Sequence, residues 1–236
     1  MNKGKLYLIP NVIADNTFAE VLPPHIYIAL NGIHNFLVED VRTARRYLSG
    51  LKIYDSIESL DFKVLNKDSR SQDMPALFEP IFRGLNIGVV SEAGCPGVAD
   101  PGALAAQFAH QNDIQVIPLV GPSSILLALM ASGLNGQRFA FHGYLPIDAK
   151  ECAKAIQDFE RESTHRNQTQ IFIETPYRNN HVKDLLIKNL KHETLLSIAL
   201  DLTGVQENIR TFPVKKWKQS HYDMPKAPAV FLFLSF

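Results

Sequence analysis

Short apolar runs recur along the chain, separated by longer stretches whose apolar positions fall three and four apart. Five runs lie in the first half: Leu6–Ile9, Asn35–Val38, Phe62–Leu65, Ile87–Ser91 and Gln115–Leu119. Five more follow: Phe139–Gly143, Gln170–Glu174, Thr194–Ala199, Asn208–Phe212 and Val230–Leu234. Runs of this length, rich in Val, Ile and Phe, predict strands. The stretches between them predict helices over Val41–Leu48, Ser71–Phe82, Ala103–Gln111, Ser123–Ser132, Asp148–Glu162 and Tyr177–Asn189. Strands spaced by single helices predict βαβ units and a parallel sheet. His25–Leu30 reads either way. Its Ile and Tyr content suits a strand, while Pro23 and Pro24 ahead of it suit a helix start.

The rhythm changes near residue 120. Before it strand and helix alternate closely; after Thr194 strands dominate, and Pro213–Pro228 is the most polar, loop-like segment. The expectation is an α/β protein of two α/β domains, residues 1–119 and 120–236. The first would carry a mostly parallel five-stranded sheet, the second a mixed sheet.

Composition narrows the class. With 236 residues and 46% hydrophobic content, a substantial core can be buried. Lys plus Arg and Asp plus Glu are 24 each, so the net charge makes no case for a nucleic-acid binder. The two cysteines, Cys95 and Cys152, cannot form a disulfide scaffold and suit a reducing compartment. The opening M-N-K-G-K-L-Y-L-I-P has no apolar run of signal-peptide length, and no stretch is long and apolar enough for a membrane span. These features predict a soluble cytoplasmic protein with no membrane partner.

The segment S-E-A-G-C-P-G-V-A-D-P-G, Ser91 to Gly102, concentrates the candidate chemistry. It follows an apolar strand, and the carboxyl ends of strands are where open α/β sheets bind ligands. Asp100 is the expected N-cap of the next helix, with Pro101 at its first position. A phosphate cradle does not fit, because neither G-x-x-x-x-G-K-[ST] nor G-x-G-x-x-G occurs. A metal site does not fit either. Cys95 has no C-x-x-C partner, and the histidines show no ligand spacing, so no metal is expected. A nucleophilic Cys95 would need a base that nothing nearby supplies. Three glycines in one connection favour main chain approaching a ligand closely over a plain turn.

Three other groups stand out. In V-G-P-S-S, Ser123 or Ser124 can cap the helix behind, where free N–H groups could hold a carboxylate; alone this reads as an ordinary cap. In F-L-V-E-D-V-R-T-A-R-R, Glu39 and Asp40 end a strand ahead of a basic helix. In I-F-I-E-T-P-Y-R, Glu174 and Arg178 suit a structural ion pair.

Taken in order, these segments resemble the tetrapyrrole methylase superfamily, the class III S-adenosylmethionine-dependent methyltransferases. Within it the likeness is to the ribosomal RNA small subunit methyltransferase I family of ribose 2′-O-methyltransferases. Family patterns A-E-D-T-R, S-D-A-G-T-P-x-I-S-D-P-G, G-P-S-A, G-F-L-P, E-S-P-H-R and L-T-K-x-x-E-E meet V-E-D-V-R, Ser91–Gly102, Gly121–Ser124, Gly143–Pro146, Glu174–Arg178 and Leu202–Asn208 here. The resemblance implies S-adenosylmethionine as cofactor and a homodimer. It implies cofactor contacts from Pro10, Glu92, Ala93, Gly94, Cys95, Val98, Ser123 and Ser124, and from Ile173, Leu202 and Pro228 in the second domain. Small-subunit (16S) ribosomal RNA is the implied acceptor. A ribose hydroxyl acceptor needs a general base, for which Asp40 and Glu39 are the candidates.

The chain departs from the pattern in its first loop, where A-T-P-I-G-N-L-x-D is replaced by L-I-P-N-V-I-A-D-N-T, keeping Pro10 without the glycine. Glu92 stands for aspartate, Cys95 for threonine and Tyr177 for histidine. Three readings stay open: methyl transfer to RNA, methyl transfer to a small tetrapyrrole-like molecule, and S-adenosylmethionine binding without catalysis.

Overall fold

A computed structural model describes residues 3–220 and 222–236. Met1 and Asn2 of the N-terminal reading, and His221 of the polar segment, lie outside the described residues. The chain divides into two compact units, Met1–Ser123 and Ser124–Phe236.

The first unit runs β1 (Leu6–Ile9), α1 (Phe18–Val21), α2 (His25–Leu30), β2 (Asn35–Val38), α3 (Val41–Leu51), β3 (Asp61–Val64), α4 (Met74–Leu77), α5 (Glu79–Phe82), β4 (Ile87–Val90), α6 (Gly102–Gln111) and β5 (Val116–Pro118). Its sheet has the order β3-β2-β4-β1-β5, and every pairing is parallel. The pleat sends alternate residues to opposite faces. Phe36 and Val38 join one apolar cluster with Ile26 and Leu30 of α2 and Ala44 and Leu48 of α3. Leu37 joins the other, with Met74 and Phe78 and with Ala105 and Ala109 of α6. Both faces are therefore covered, which explains why β4 reads as an unbroken apolar run.

The connections leaving β1 and β4 run in opposite directions along this sheet. From β1 the chain passes over β4 to β2; from β4 it passes over β1 to β5. These neighbours form the topological switch point, the place along the carboxyl edge where open α/β sheets bind ligands.

The second unit runs α7 (Ser124–Ser132), β6 (Phe139–Phe141), α8 (Ala149–Arg166), β7 (Thr169–Glu174), α9 (Asn179–Asn189), β8 (Leu195–Leu200), β9 (Asn208–Pro213), α10 (Val214–Gln219) and β10 (Ala229–Leu234). Its sheet is mixed, in the order β6-β7-β10-β8-β9, with β6 and β7 parallel and the other pairs antiparallel. One face packs Phe172, Ile198, Phe231 and Phe233 against Cys152 and Ile156 of α8 and Val182 and Leu186 of α9. The other packs Ile171, Ala199, Val230 and Leu232 against Ile125 and Leu129 of α7.

His25–Leu30, which reads either way in sequence, is a helix. Several expectations are corrected. Helix α1 was not anticipated. Ser71–Phe82 is not one helix: a 3₁₀ turn at Ser71–Asp73 leads into α4 and α5. Pro80 has no N–H to offer the carbonyl of Ala76, one turn back, so a continuous helix cannot form. The Lys63 ammonium takes that carbonyl instead, at 3.0 Å. The polar segment from Pro213 holds α10, anchored by buried Val214 and Trp217. Helix α6 runs Gly102–Gln111, one residue longer at its start than Ala103–Gln111, and Pro101 rather than Asp100 holds the cap position. Asp100 still serves that helix end, because its Oδ1 accepts from Gly102 N at 2.6 Å and from Gly97 N at 2.8 Å.

Candidate cofactor site

A parallel sheet delivers all its loops to one edge. In the first unit the loops after β1, β4 and β5 meet there. Asn11 and Gly94 form an antiparallel bridge, with Asn11 N donating to Gly94 O at 2.8 Å and Gly94 N to Asn11 O at 3.2 Å. The buried Asn11 carboxamide adds three bonds. Its Nδ2 donates to Ser91 O and Glu92 O, both at 3.0 Å, and its Oδ1 accepts from Val12 N at 2.8 Å. Tyr47 OH donates to Pro10 O at 2.7 Å, which fixes the start of the first loop. Burial pushes the Tyr47 hydroxyl well above its ordinary pKa, so it remains a donor.

The third loop closes on the other two. A Cβ at Gly121 would lie 2.2 Å from Pro10 Cγ, so only glycine lets the β5 loop reach Pro10. Gly94 has φ +68°, a left-handed conformation that glycine adopts without strain. The Cys95 thiol donates to Pro122 O at 3.4 Å. Burial raises its pKa, which keeps the sulfur protonated and unsuited to nucleophilic attack.

Next to these loops the structure gathers acids. Glu39 follows β2, Glu92 follows β4, and Asp100 lies further along the same loop. Glu39 is pushed up to about 7, first by burial, then by a hydrogen bond with Asp100 and the charges of Asp100 and Glu92; the Glu92 N–H opposes this in part. Asp40 differs in kind. It is exposed, and its Oδ1 accepts from Thr43 N at 2.8 Å as the N-cap of α3, which lowers its pKa. A cap bonded to its own helix is a poor proton acceptor, so of the two candidate bases Glu39 alone has the environment for the role.

A loop edge of main chain and carboxylates disfavours phosphate and suits a cation. S-adenosylmethionine carries a sulfonium and an ammonium, so the residues present fit it. Glu92, Ala93 and Val98 are exposed along this loop, Gly94 and Pro10 are buried in its wall, and Cys95 and Ser123 are half-buried.

In the second unit, Ile173, Leu202 and Pro228 collect at one edge of the mixed sheet. Ile173 pairs with Val230 on β10, and its N–H donates to Gly143 O at 2.9 Å. Leu202 is buried just past β8, and Asp201 N donates to Pro228 O at 2.9 Å. Ser124 opens α7. Glu174 lies at the same edge, buried. Its Oε1 accepts from Thr175 N at 2.7 Å, and the Arg178 guanidinium stands 3.2 Å from Oε2 while donating to Pro146 O at 3.1 Å. Contact with Oε2 is electrostatic only, since no donor is aligned on that oxygen. The pair ties the Gly143–Pro146 motif to the Glu174–Arg178 motif.

No family model matches the chain. Individual relatives do. Ribosomal RNA small subunit methyltransferase I of Halalkalibacterium halodurans is 31% identical over 211 residues, spanning 87% of this chain and 67% of the relative. The chain belongs to the ribosomal RNA small subunit methyltransferase I family. Proteins of the same name from Vibrio cholerae and Escherichia coli O157:H7 are 29% and 28% identical, over 89% and 90% of this chain and 68% and 70% of theirs. Among solved structures, the methyltransferase CobJ superposes with TM-score 0.61 at 16% identity, covering 98% of this chain and 94% of its own. Uroporphyrin-III-C-methyltransferase of Thermus thermophilus gives 0.57 at 17%, with 98% and 92% covered. These two establish the tetrapyrrole-methylase fold.

Within this member of the ribosomal RNA small subunit methyltransferase I family, sequence reasoning missed Asn11, Tyr47, Asp100 as a partner of Glu39, and Gly121. Asn11 carried a usable signal, a lone amide inside the apolar run I-P-N-V-I. The Glu39–Asp100 approach carried none, because it depends on β2 lying beside β4.

Proposed function

We propose that the protein transfers the methyl group of S-adenosylmethionine to a ribose 2′-hydroxyl of small-subunit ribosomal RNA. Family membership is the observation that carries this reading, and the acids gathered at the switch-point edge support it. In the first unit the proposed cofactor contacts are Pro10, Glu92, Ala93, Gly94, Cys95, Val98 and Ser123; in the second they are Ser124, Ile173, Leu202 and Pro228. When bound, S-adenosylmethionine supplies an electrophilic methyl carried on a cationic sulfur.

The chain's own residues then have two tasks. Glycine-rich main chain and the carboxylates of Glu92 and Asp100 would orient the donor, which suffices for much of an in-line displacement. Glu39 would accept the proton of the acceptor hydroxyl as methyl is transferred to it. A base whose pKa lies near the working pH is matched to this task.

Among the described residues no helix is long and apolar enough to cross a membrane. We place the protein in the cytoplasm, where its RNA is, as a homodimer. Leu126 and Met130 of α7 support self-association: they lie one helical turn apart and are 51% and 79% exposed, while the opposite side of α7 is already buried.

The deciding experiment is transfer of labelled methyl from S-adenosylmethionine to small ribosomal subunits from cells lacking this modification, followed by nucleoside analysis. The expected product is a 2′-O-methylated nucleoside. Label on a base, on a tetrapyrrole only, or on nothing would remove this reading. Sedimentation equilibrium tests the dimer, which Leu126→Glu with Met130→Glu should dissociate.

A further inference from the structure

The neutral total charge conceals an asymmetry. Residues 1–123 hold ten Lys and Arg against thirteen Asp and Glu, while 124–236 hold fourteen against eleven. The positive excess of the second unit is concentrated in one stretch. Arg210, Lys215, Lys216, Lys218 and Lys226 face a single acid, Asp223, between residues 208 and 226. That stretch contains β9, the edge strand of the mixed sheet, and α10.

Here the cations are organised on aromatic rings. The Arg210 guanidinium lies over Tyr222 at 4.9 Å, and the Lys216 ammonium over Phe212 at 3.7 Å. Between them Trp217 contacts Tyr222 at 6.0 Å and Phe212 at 5.5 Å between ring centroids. Buried Trp217 is pinned by its Nε1 donating to Leu196 O at 2.9 Å. A ring holds a cation in place without consuming its hydrogen-bond donors. Among the described residues Lys215 alone in this stretch forms an ion pair, with Glu193 at 2.9 Å. Arg210, Lys216 and Lys218 are exposed and have no carboxylate partner there.

We propose that the β9–α10 face docks the phosphate backbone of the RNA substrate. Resting on the reading of RNA as acceptor, this adds a binding surface outside the cofactor site. A guanidinium fixed on a ring presents its planar fork to phosphate, which suits bidentate capture. A protein partner fits less well, because among the described residues from 207 to 226 no large hydrophobic residue is exposed to anchor one.

The test compares the native protein with Arg210→Glu/Lys216→Glu, and with Lys218→Glu, which touches none of the rings. Binding to unmodified small ribosomal subunits is measured across salt concentrations, alongside KM and kcat for subunits and affinity for S-adenosylmethionine. The slope of log K against log salt should fall by roughly 1.4 in the double variant and roughly 0.7 in the single one. KM should rise at least tenfold in the double variant, with kcat and cofactor affinity unchanged. Native binding and methylation with unaltered slopes in both variants would overturn the dock and leave the acceptor reading standing. A native protein that neither binds nor methylates subunits would overturn both.

Discussion

Two acid-bearing loops, one in each unit, use the same residue types in opposite ways. After β4, Glu92 and Asp100 approach Glu39, and among the described residues none of the three forms an ion pair. After β8, Asp201 and Glu207 turn back onto their own loop: Asp201 Oδ2 accepts from Gln206 N at 2.8 Å and Glu207 Oε2 from Thr203 N at 2.7 Å. The second loop turns its carboxylates onto its own amides and adopts left-handed φ at Asp201 and Thr203, +49° and +66°. The first is cross-braced by Asn11 and Gly121 from neighbouring loops. Acids that face amides are scaffolding. Acids that face each other hold a proton near neutral pH, which an enzyme can use.

Removing that proton site should have the largest effect. Glu39→Gln should lower kcat by about 10²–10⁴-fold, the usual worth of a general base. The acid limb of the native pH–rate profile, centred near pH 7, should vanish with it. Stability should move the other way. The folded state keeps the Glu39 proton up to about pH 7, whereas the unfolded chain releases it near 4.5. The favourable contribution is complete below 4.5 and is lost as pH rises through 7. The melting temperature of Glu39→Gln should therefore gain on the native protein between pH 5 and 8; a constant gap would contradict the raised pKa.

Breaking the cross-bracing should come next. Gly121→Val drives a side chain into Pro10 and should destabilise by about 1–3 kcal/mol, with weaker S-adenosylmethionine binding by calorimetry. Asn11→Ala leaves the Ser91 and Glu92 carbonyls without their side-chain donor and should destabilise by about 1–3 kcal/mol. Its effect should couple non-additively to Ser91→Ala in a double-mutant cycle, since Ser91 Oγ bonds Gly94 O at 2.9 Å in the same braced corner. The self-contained loop supplies the smallest effect. Glu207→Gln alters one exposed bond and should shift stability by about 0.5 kcal/mol or less, additively with Asn11→Ala.

How much was legible follows the same division. Strands β1 and β2 were readable to the residue, because short apolar runs end at Pro10 and at Glu39-Asp40. Helix α10 was not, because V-K-K-W-K-Q has only Val214 and Trp217 to mark its buried side, flanked by prolines. The Ser91–Gly102 segment was legible as a loop at the carboxyl end of a strand, from its glycines and the apolar run before it. Its bracing by Asn11 and the raised pKa of Glu39 were not, since both depend on which strands become neighbours. Residues 39 and 100 meet only after β4 inserts between β2 and β1.

The order β6-β7-β10-β8-β9 also bears on how this chain is made. Strand β10 is synthesised after every other strand of its sheet, yet it occupies the middle, between β7 and β8. Until it arrives the nascent second unit exposes two long apolar strand edges, each a template for mispairing with another chain. The first unit has no such wait once β5 has been added. Vectorial synthesis therefore leaves the second unit as the phase most exposed to aggregation and most in need of chaperone cover.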